Sequence, residues 1–156
     1  MSGDGLLLDA NLLVLLIVGG TRRDLIGRHK RLKAFAQEDF DLLQQIIARA
    51  VRVIVTPNTL TEASNLMAQI EDPARSEIRE TFRRVVVASE EEYVPSCDAV
   101  SSVEFLRLGL TDAGLLQLVS GSRSLLTSDL DLYLEALRSG AAAVNFNHVR
   151  LQGYLR

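Results

Sequence analysis

Five short apolar stretches separated by helical patterns constrain this chain more than any other feature. Leu6 to Leu8, Val51 to Val55, Val85 to Ala88, Leu125 to Thr127 and Ala142 to Val144 read as buried strands, several of them rich in β-branched residues. Between them the apolar periodicity predicts helices over Asp39 to Ala50, Pro57 to Ile70, Ala74 to Arg84, Asp112 to Val119 and Asp129 to Arg138, with a further one from Asn11 to Val18. Thr56 followed by Pro57 suits an N-cap with proline at the first helical position, and Ser139-Gly140 reads as a helix stop. Strands alternating with helices predict an α/β fold with a mostly parallel sheet covered on both faces. No repeat, low-complexity tract or linker divides the 156 residues, so residues 1–156 are read as one domain.

Composition narrows the chemistry. With 47% apolar and 24% charged residues the chain is that of a folded globular protein. One cysteine and two histidines exclude thiolate and imidazole metal sites, so any metal must be held by oxygen. Cys97 is expected to pack rather than react. The apolar run Leu12 to Val18 is far shorter than the roughly 20 residues that span a bilayer. Met1 to Leu8 carries Asp4 and no basic residue, unlike a secretory leader, so a cytoplasmic protein without membrane partners is expected.

The net charge of -3 does not advertise nucleic-acid binding, but its distribution is uneven. Arg22, Arg23, Arg28, Lys30, Arg31 and Lys33, against Asp24 alone, make a local +5 and leave -8 over the rest of the chain. These six are candidate substrate-binding residues, with a solvated helix surface as the competing reading. Arg75, Arg79 and Arg83 form a sparser row at i, i+4 spacing.

In parallel α/β sheets the functional crevice lies outside the carboxyl ends of the strands. Asp9 immediately follows the first strand, and Asp129 lies just past the fourth. Asp112 shares a helical face with Leu115, Leu116 and Val119, and Asp129 with Leu132, Tyr133, Ala136 and Leu137, so both are expected to face inward. Glu62 flanks the stripe Leu60, Ala63, Met67 and Ile70 and can reach the same edge. Each acid has a plain alternative: Asp112 and Asp129 as complements of a helix dipole, Asp9 in a turn near Asn11, Glu62 on the surface. Together they are harder to dismiss, because two carboxylates about 4 Å apart repel by about 4 kcal/mol at an effective dielectric of 20. A cluster of four needs protons or a cation, and an all-oxygen set suits Mg²⁺ or Mn²⁺.

The segments LLLDANLL (Leu6 to Leu13), VTPNTLTEASNL (Val55 to Leu66), LGLTDAGLLQL (Leu108 to Leu118) and LLTSDLDLYLEALRSGAAAVNFN (Leu125 to Asn147) resemble the PIN-domain nuclease family in order, spacing and placement at strand ends. The resemblance implies a three-layer α/β/α sandwich and maps the family's four acids onto Asp9, Glu62, Asp112 and Asp129, which would be catalytic and metal-binding at once. Thr127 would add a hydroxyl to the surroundings of a Mg²⁺ or Mn²⁺ ion. Asp131 is a further candidate ligand against its reading as a helix-start acid, and Asn11 is read as a helix cap.

What the resemblance implies is metal-dependent hydrolysis of RNA phosphodiester bonds, leaving a 5′-phosphate. Many bacterial members are toxins held by a cognate antitoxin, so an antitoxin and a homodimeric partner copy are implied partners beside RNA. The stretch from Thr21 to Ala50, which contains the basic run, lengthens the gap between Asp9 and Glu62 beyond that of the compact toxins. It reads either as an RNA-gripping arm or as the mark of a stand-alone nuclease. The alternative is a non-catalytic RNA-binding or dimerisation scaffold whose acids serve structure. Histidine-pair chemistry is discounted because nothing in the sequence brings His29 and His148 together, and aspartyl phosphotransfer because Asn11 stands where a second Asp is wanted.

Overall fold

A computed structural model describes residues 5–154. The first strand, β1 (Gly5–Leu8), is buried along its whole length and runs into α1 (Ala10–Thr21). After it come α2 (Leu25–Arg28), a 3-10 turn (Lys30–Leu32), α3 (Gln37–Ala48), β2 (Val53–Val55), α4 (Pro57–Met67) and α5 (Ala74–Ala88). The chain continues through β3 (Glu90–Glu91), α6 (Ser96–Ser101), α7 (Phe105–Leu108), α8 (Leu110–Leu118), β4 (Arg123–Thr127), α9 (Leu130–Arg138), β5 (Ala143–Asn145) and α10 (Phe146–Tyr154).

The five strands form one sheet in the order β3-β2-β1-β4-β5, every neighbouring pair parallel. The chain therefore winds outward from β1 to one edge and then crosses to the other side of β1, which puts the switch point between β1 and β4. Helices cover both faces, giving the α/β/α sandwich. Alternation along β1 divides its side chains: Leu6 and Leu8 join the larger core with α1, α3, α4 and α5, while Leu7 packs with Ile54, Leu125, Leu115, Leu132 and Ala136 beneath α8 and α9.

α1 is apolar around most of its surface because it is buried around most of it; Leu12, Leu13, Leu15, Ile17 and Val18 are fully enclosed, while Asn11 and Gly20 are exposed. It runs three residues further at its C-terminus than its pattern predicts, to Thr21, and Gly19 near that end lies against the Phe40 ring. Gly140 ends α9 with φ 78°, as the Ser139-Gly140 pair suggested.

One strand was misplaced by sequence. Val85 to Ala88, expected as a strand, is the last turn of α5. Ile78, Thr81, Phe82, Val85 and Val86 recur at i, i+3, i+4, i+7 and i+8, and that stripe packs on the larger core, outweighing the β preference of three successive valines. The true third strand is Glu90–Glu91, without an apolar side chain. Arg52 anchors it through Glu90 at 2.8 Å, and Arg123 holds the following Glu92 through paired hydrogen bonds. A short charged edge strand also resists pairing with other chains.

Candidate functional site

Asp9 sits where β1 ends and α1 begins, and it caps that helix by accepting Leu12 N–H at 2.8 Å through Oδ1. Asn11, expected as the cap, lies exposed within the helix instead, because the cap is Asp9, two residues earlier. The second oxygen of Asp9 faces β4, where it accepts the Thr127 hydroxyl and Ser128 N–H, the latter at 2.8 Å. The Thr127 oxygen in turn accepts Asp129 N–H at 2.9 Å, and Asp129 caps α9 by accepting Leu132 N–H at 3.0 Å. The ends of β1 and β4 are thus tied together across the switch point. Asn147 braces this turn, donating to the Ser128 carbonyl at 3.0 Å while its own N–H is held by Asn145.

Asp112 stands in the first turn of α8, half-buried, with α4 and its Glu62 packed alongside. Burial raises its carboxyl to a pKa of about 7, reinforced by the charges of Asp9, then Asp129, then Glu62. All four acids therefore lie within Coulombic reach of one group. Burial also pushes Asp9 upward, aided by the charge of Asp129, while its bonds from Thr127, Leu12 and Ser128 pull the other way. The carboxylates of Asp112 and Glu62 make no hydrogen bond or ion pair with another described residue.

Two acids are placed differently from expectation. Asp129 is exposed rather than inward-facing, because as N-cap it precedes the helical face of Leu132 and Ala136. Asp131, the candidate extra ligand, points away into an ion pair with Arg107 at 3.3 Å, which also meets Glu135 at 2.7 Å. Thr127 contacts the site through Asp9 rather than by a free hydroxyl.

The basic run does not join the acids. Asp9 and the run lie at opposite ends of α1, whose 12 residues span about 18 Å. Several of its charges are already paired: Arg22 with Asp24 and Glu77, Arg23 with Asp41 at 2.7 Å, Arg28 with Asp24 at 3.7 Å. Arg31 binds Gln69, Lys33 donates to the Gly27 carbonyl at 3.4 Å, and Lys30 is exposed. Of the second row, Arg75 pairs with Asp72 and Arg83 with Glu80.

Among the described residues no histidine or cysteine side chain bonds to the four acids. His29 is fully buried against the Met67 carbonyl, His148 stacks edge-on with Tyr133, and Cys97, expected to pack, is exposed on α6. The donor set at the acids is oxygen only, which fits a hard divalent cation. As they stand, no three acidic, histidine or cysteine groups among the described residues close around a single point.

Sequence reasoning missed three contributors at this edge: the Leu12 and Ser128 amides, and a cleft of about 380 Å³ beside Glu62 lined by Pro57, Asn58, Thr61 and Thr111. Backbone donors leave no trace in residue type. Asn58, Thr61 and Glu62, at i, i+3 and i+4, do mark one face of α4. The chain matches no family model, no curated protein and no solved structure.

Proposed function

We propose that this protein is a metal-dependent ribonuclease of the PIN-domain type, with Asp9, Glu62, Asp112 and Asp129 as its catalytic acids. The observation that carries the reading is Asp112, a half-buried carboxylate with no donor of its own beside three more acids. A structural carboxylate would be satisfied by neighbouring N–H groups, as Asp9 and Asp129 partly are; Asp112 and Glu62 have none.

The residues suit Mg²⁺ or Mn²⁺ held by Asp9, Asp112, Asp129 and Glu62. Bound there, such an ion would lower the pKa of a water and offset charge on the phosphate under attack. The chain's own part is positioning. Thr127, Ser128 and Leu12 fix the orientation of Asp9. The N-termini of α1, α4, α8 and α9 open on this edge, and their dipoles favour both the acids and an incoming phosphate. Glu62, exposed and unpartnered, is free to orient the attacking water and accept its proton. The water oxygen bonds to phosphorus as the bond to the 3′ oxygen breaks, leaving a 5′-phosphate and a 3′-hydroxyl.

The scaffold reading has one observation in its favour, the capping roles of Asp9 and Asp129. Single-stranded RNA incubated with Mn²⁺ or Mg²⁺ separates the two. Wild type should cut and leave 5′-phosphate ends, and Glu62→Gln, altering an exposed side chain, should lose at least about a hundredfold in rate. An inert wild type, or a variant that cuts equally well, favours the scaffold. A toxin role with an antitoxin and a homodimeric state belong to the same proposal and rest on the family resemblance alone.

A further inference from the structure

The cleft beside Glu62 continues along α4 into a groove of about 350 Å³ between α4 and α5; Pro57 and Thr61 line both. Leu60, Ser64, Asn65, Phe82, Val86 and Glu91 complete its walls. Its chemistry differs from that of the acid edge. Thr61, Ser64 and Asn65 offer uncharged donors and acceptors with no side-chain partner among the described residues, Phe82 and Val86 supply an apolar wall, and Glu91 closes one end with a carboxylate. The mixture of an apolar wall that includes an aromatic side chain with neighbouring neutral polar groups suits an unpaired nucleobase, and a duplex, with its bases stacked inside, could not present one.

We infer that this groove is a nucleobase subsite that takes one unstacked base of a single-stranded RNA and favours a base with an exocyclic amino group over uracil. Its placement beside the scissile phosphate rests on the nuclease reading. Asn65 lies three residues beyond Glu62 on α4, about 4.5 Å along the axis, so the base held there belongs to a nucleotide next to the one being cut. The preference comes from Glu91. An ionised carboxylate accepts hydrogen bonds and gives none, so it pairs with the amino group of cytosine and repels the carbonyl oxygen that uracil carries at the same ring position. Asn65 can pair with either base, since its amide both donates and accepts.

Cytidine and uridine, as uncharged nucleosides, test the groove without repulsion from the acids and without any cutting. Titrated into the metal-free protein and followed by amide chemical shifts, cytidine should move Ser64, Asn65, Val86 and Glu91. It should bind about fivefold more tightly than uridine, the low end of what one good polar pair discriminates. Glu91→Gln should bring the two nucleosides to equal affinity, because a side-chain amide can turn either way. Ser64→Tyr, which fills the groove, should abolish the shifts of both. The inference falls if neither nucleoside moves these amides, if the two bind equally to wild type, or if the preference survives in Glu91→Gln. If cytidine binds as described while RNA with Mn²⁺ stays intact, the subsite stands and the nuclease reading fails. If RNA is cut by a protein whose groove ignores cytidine, the nuclease reading stands and the subsite fails.

Discussion

Thr127 holds the carboxylate of Asp9 across 118 residues of sequence, donating its hydroxyl to Oδ2 while accepting Asp129 N–H at 2.9 Å. One side chain thereby fixes the orientation of the first acid and the start of the helix that the last acid caps.

Replacing Thr127 by Val keeps the shape and removes both hydrogen bonds. The buried Asp9 loses its side-chain donor and the Asp129 amide its acceptor, so Thr127→Val should destabilise the fold by about 1–3 kcal/mol. Thr127→Ser should recover most of that. Urea unfolding checks the stability, and RNA cleavage by the two variants should follow the same order.

Asp112 makes stability fall as pH rises. Below pH about 4 the group is protonated in both folded and unfolded chains and contributes nothing. Between pH about 4 and 7 the unfolded chain releases the proton while the folded one keeps it, and above 7 the deficit is constant. A shift from 3.8 to about 7 sets that deficit at no more than about 4 kcal/mol. Urea midpoints measured in a chelator from pH 4 to 8 should decline for wild type, and Asp112→Asn should flatten the decline.

Divalent metal should oppose that loss. At pH 7.5, millimolar Mn²⁺ should raise the melting temperature of wild type, by about 2.7 kcal/mol of added stability when the ion reaches a hundred times its Kd. Asp112→Asn should respond far less. An unchanged melting temperature in both proteins would argue for the scaffold reading.

Gly19→Ala sets helix propensity against packing. Alanine gains about 1 kcal/mol over glycine inside a helix. Its Cβ, however, would lie 2.4 Å from Phe40 Cδ2 and 2.7 Å from Cγ, on a ring that is only 4% exposed and has nowhere to move. Overpacking of this kind costs about 1–3 kcal/mol, so the variant should be the less stable in urea despite its better helix former.

Removing charge from the basic run should leave cleavage alone. Arg28→Ala with Lys30→Ala should change neither the rate nor the salt dependence of RNA binding, because these groups lie a helix length from Asp9. A drop of about 0.7 in the log-log salt slope for each charge removed would mean that RNA reaches that end of the molecule.

The sequence disclosed most where burial is symmetrical. Leu6 to Leu8 and Leu125 to Thr127 read as strands because they are enclosed on both faces, and once those were placed Asp9 and Asp129 fell on one edge by topology alone. Glu90–Glu91 was invisible because a two-residue charged strand has neither periodicity nor apolar content, and its role depends on Arg52 and Arg123, distant in sequence. The three valines before it carried a β signal that only the contacts of Ile78 and Phe82 could overrule. At the site, residue types marked the four acids. The outward turn of Asp129 was decided by cap geometry: it lies one position before the helix, a distinction finer than pattern can draw.

The strand order carries a consequence for synthesis. β1 is made before β4, 118 residues separating Asp9 from Thr127, and among the described residues the Oδ2 of Asp9 is held by Thr127 and Ser128 alone. A nascent chain in which Thr127 and Ser128 are still enclosed has no clamp on that oxygen of the first acid. The carboxylate edge is therefore completed only once β4 has joined β1.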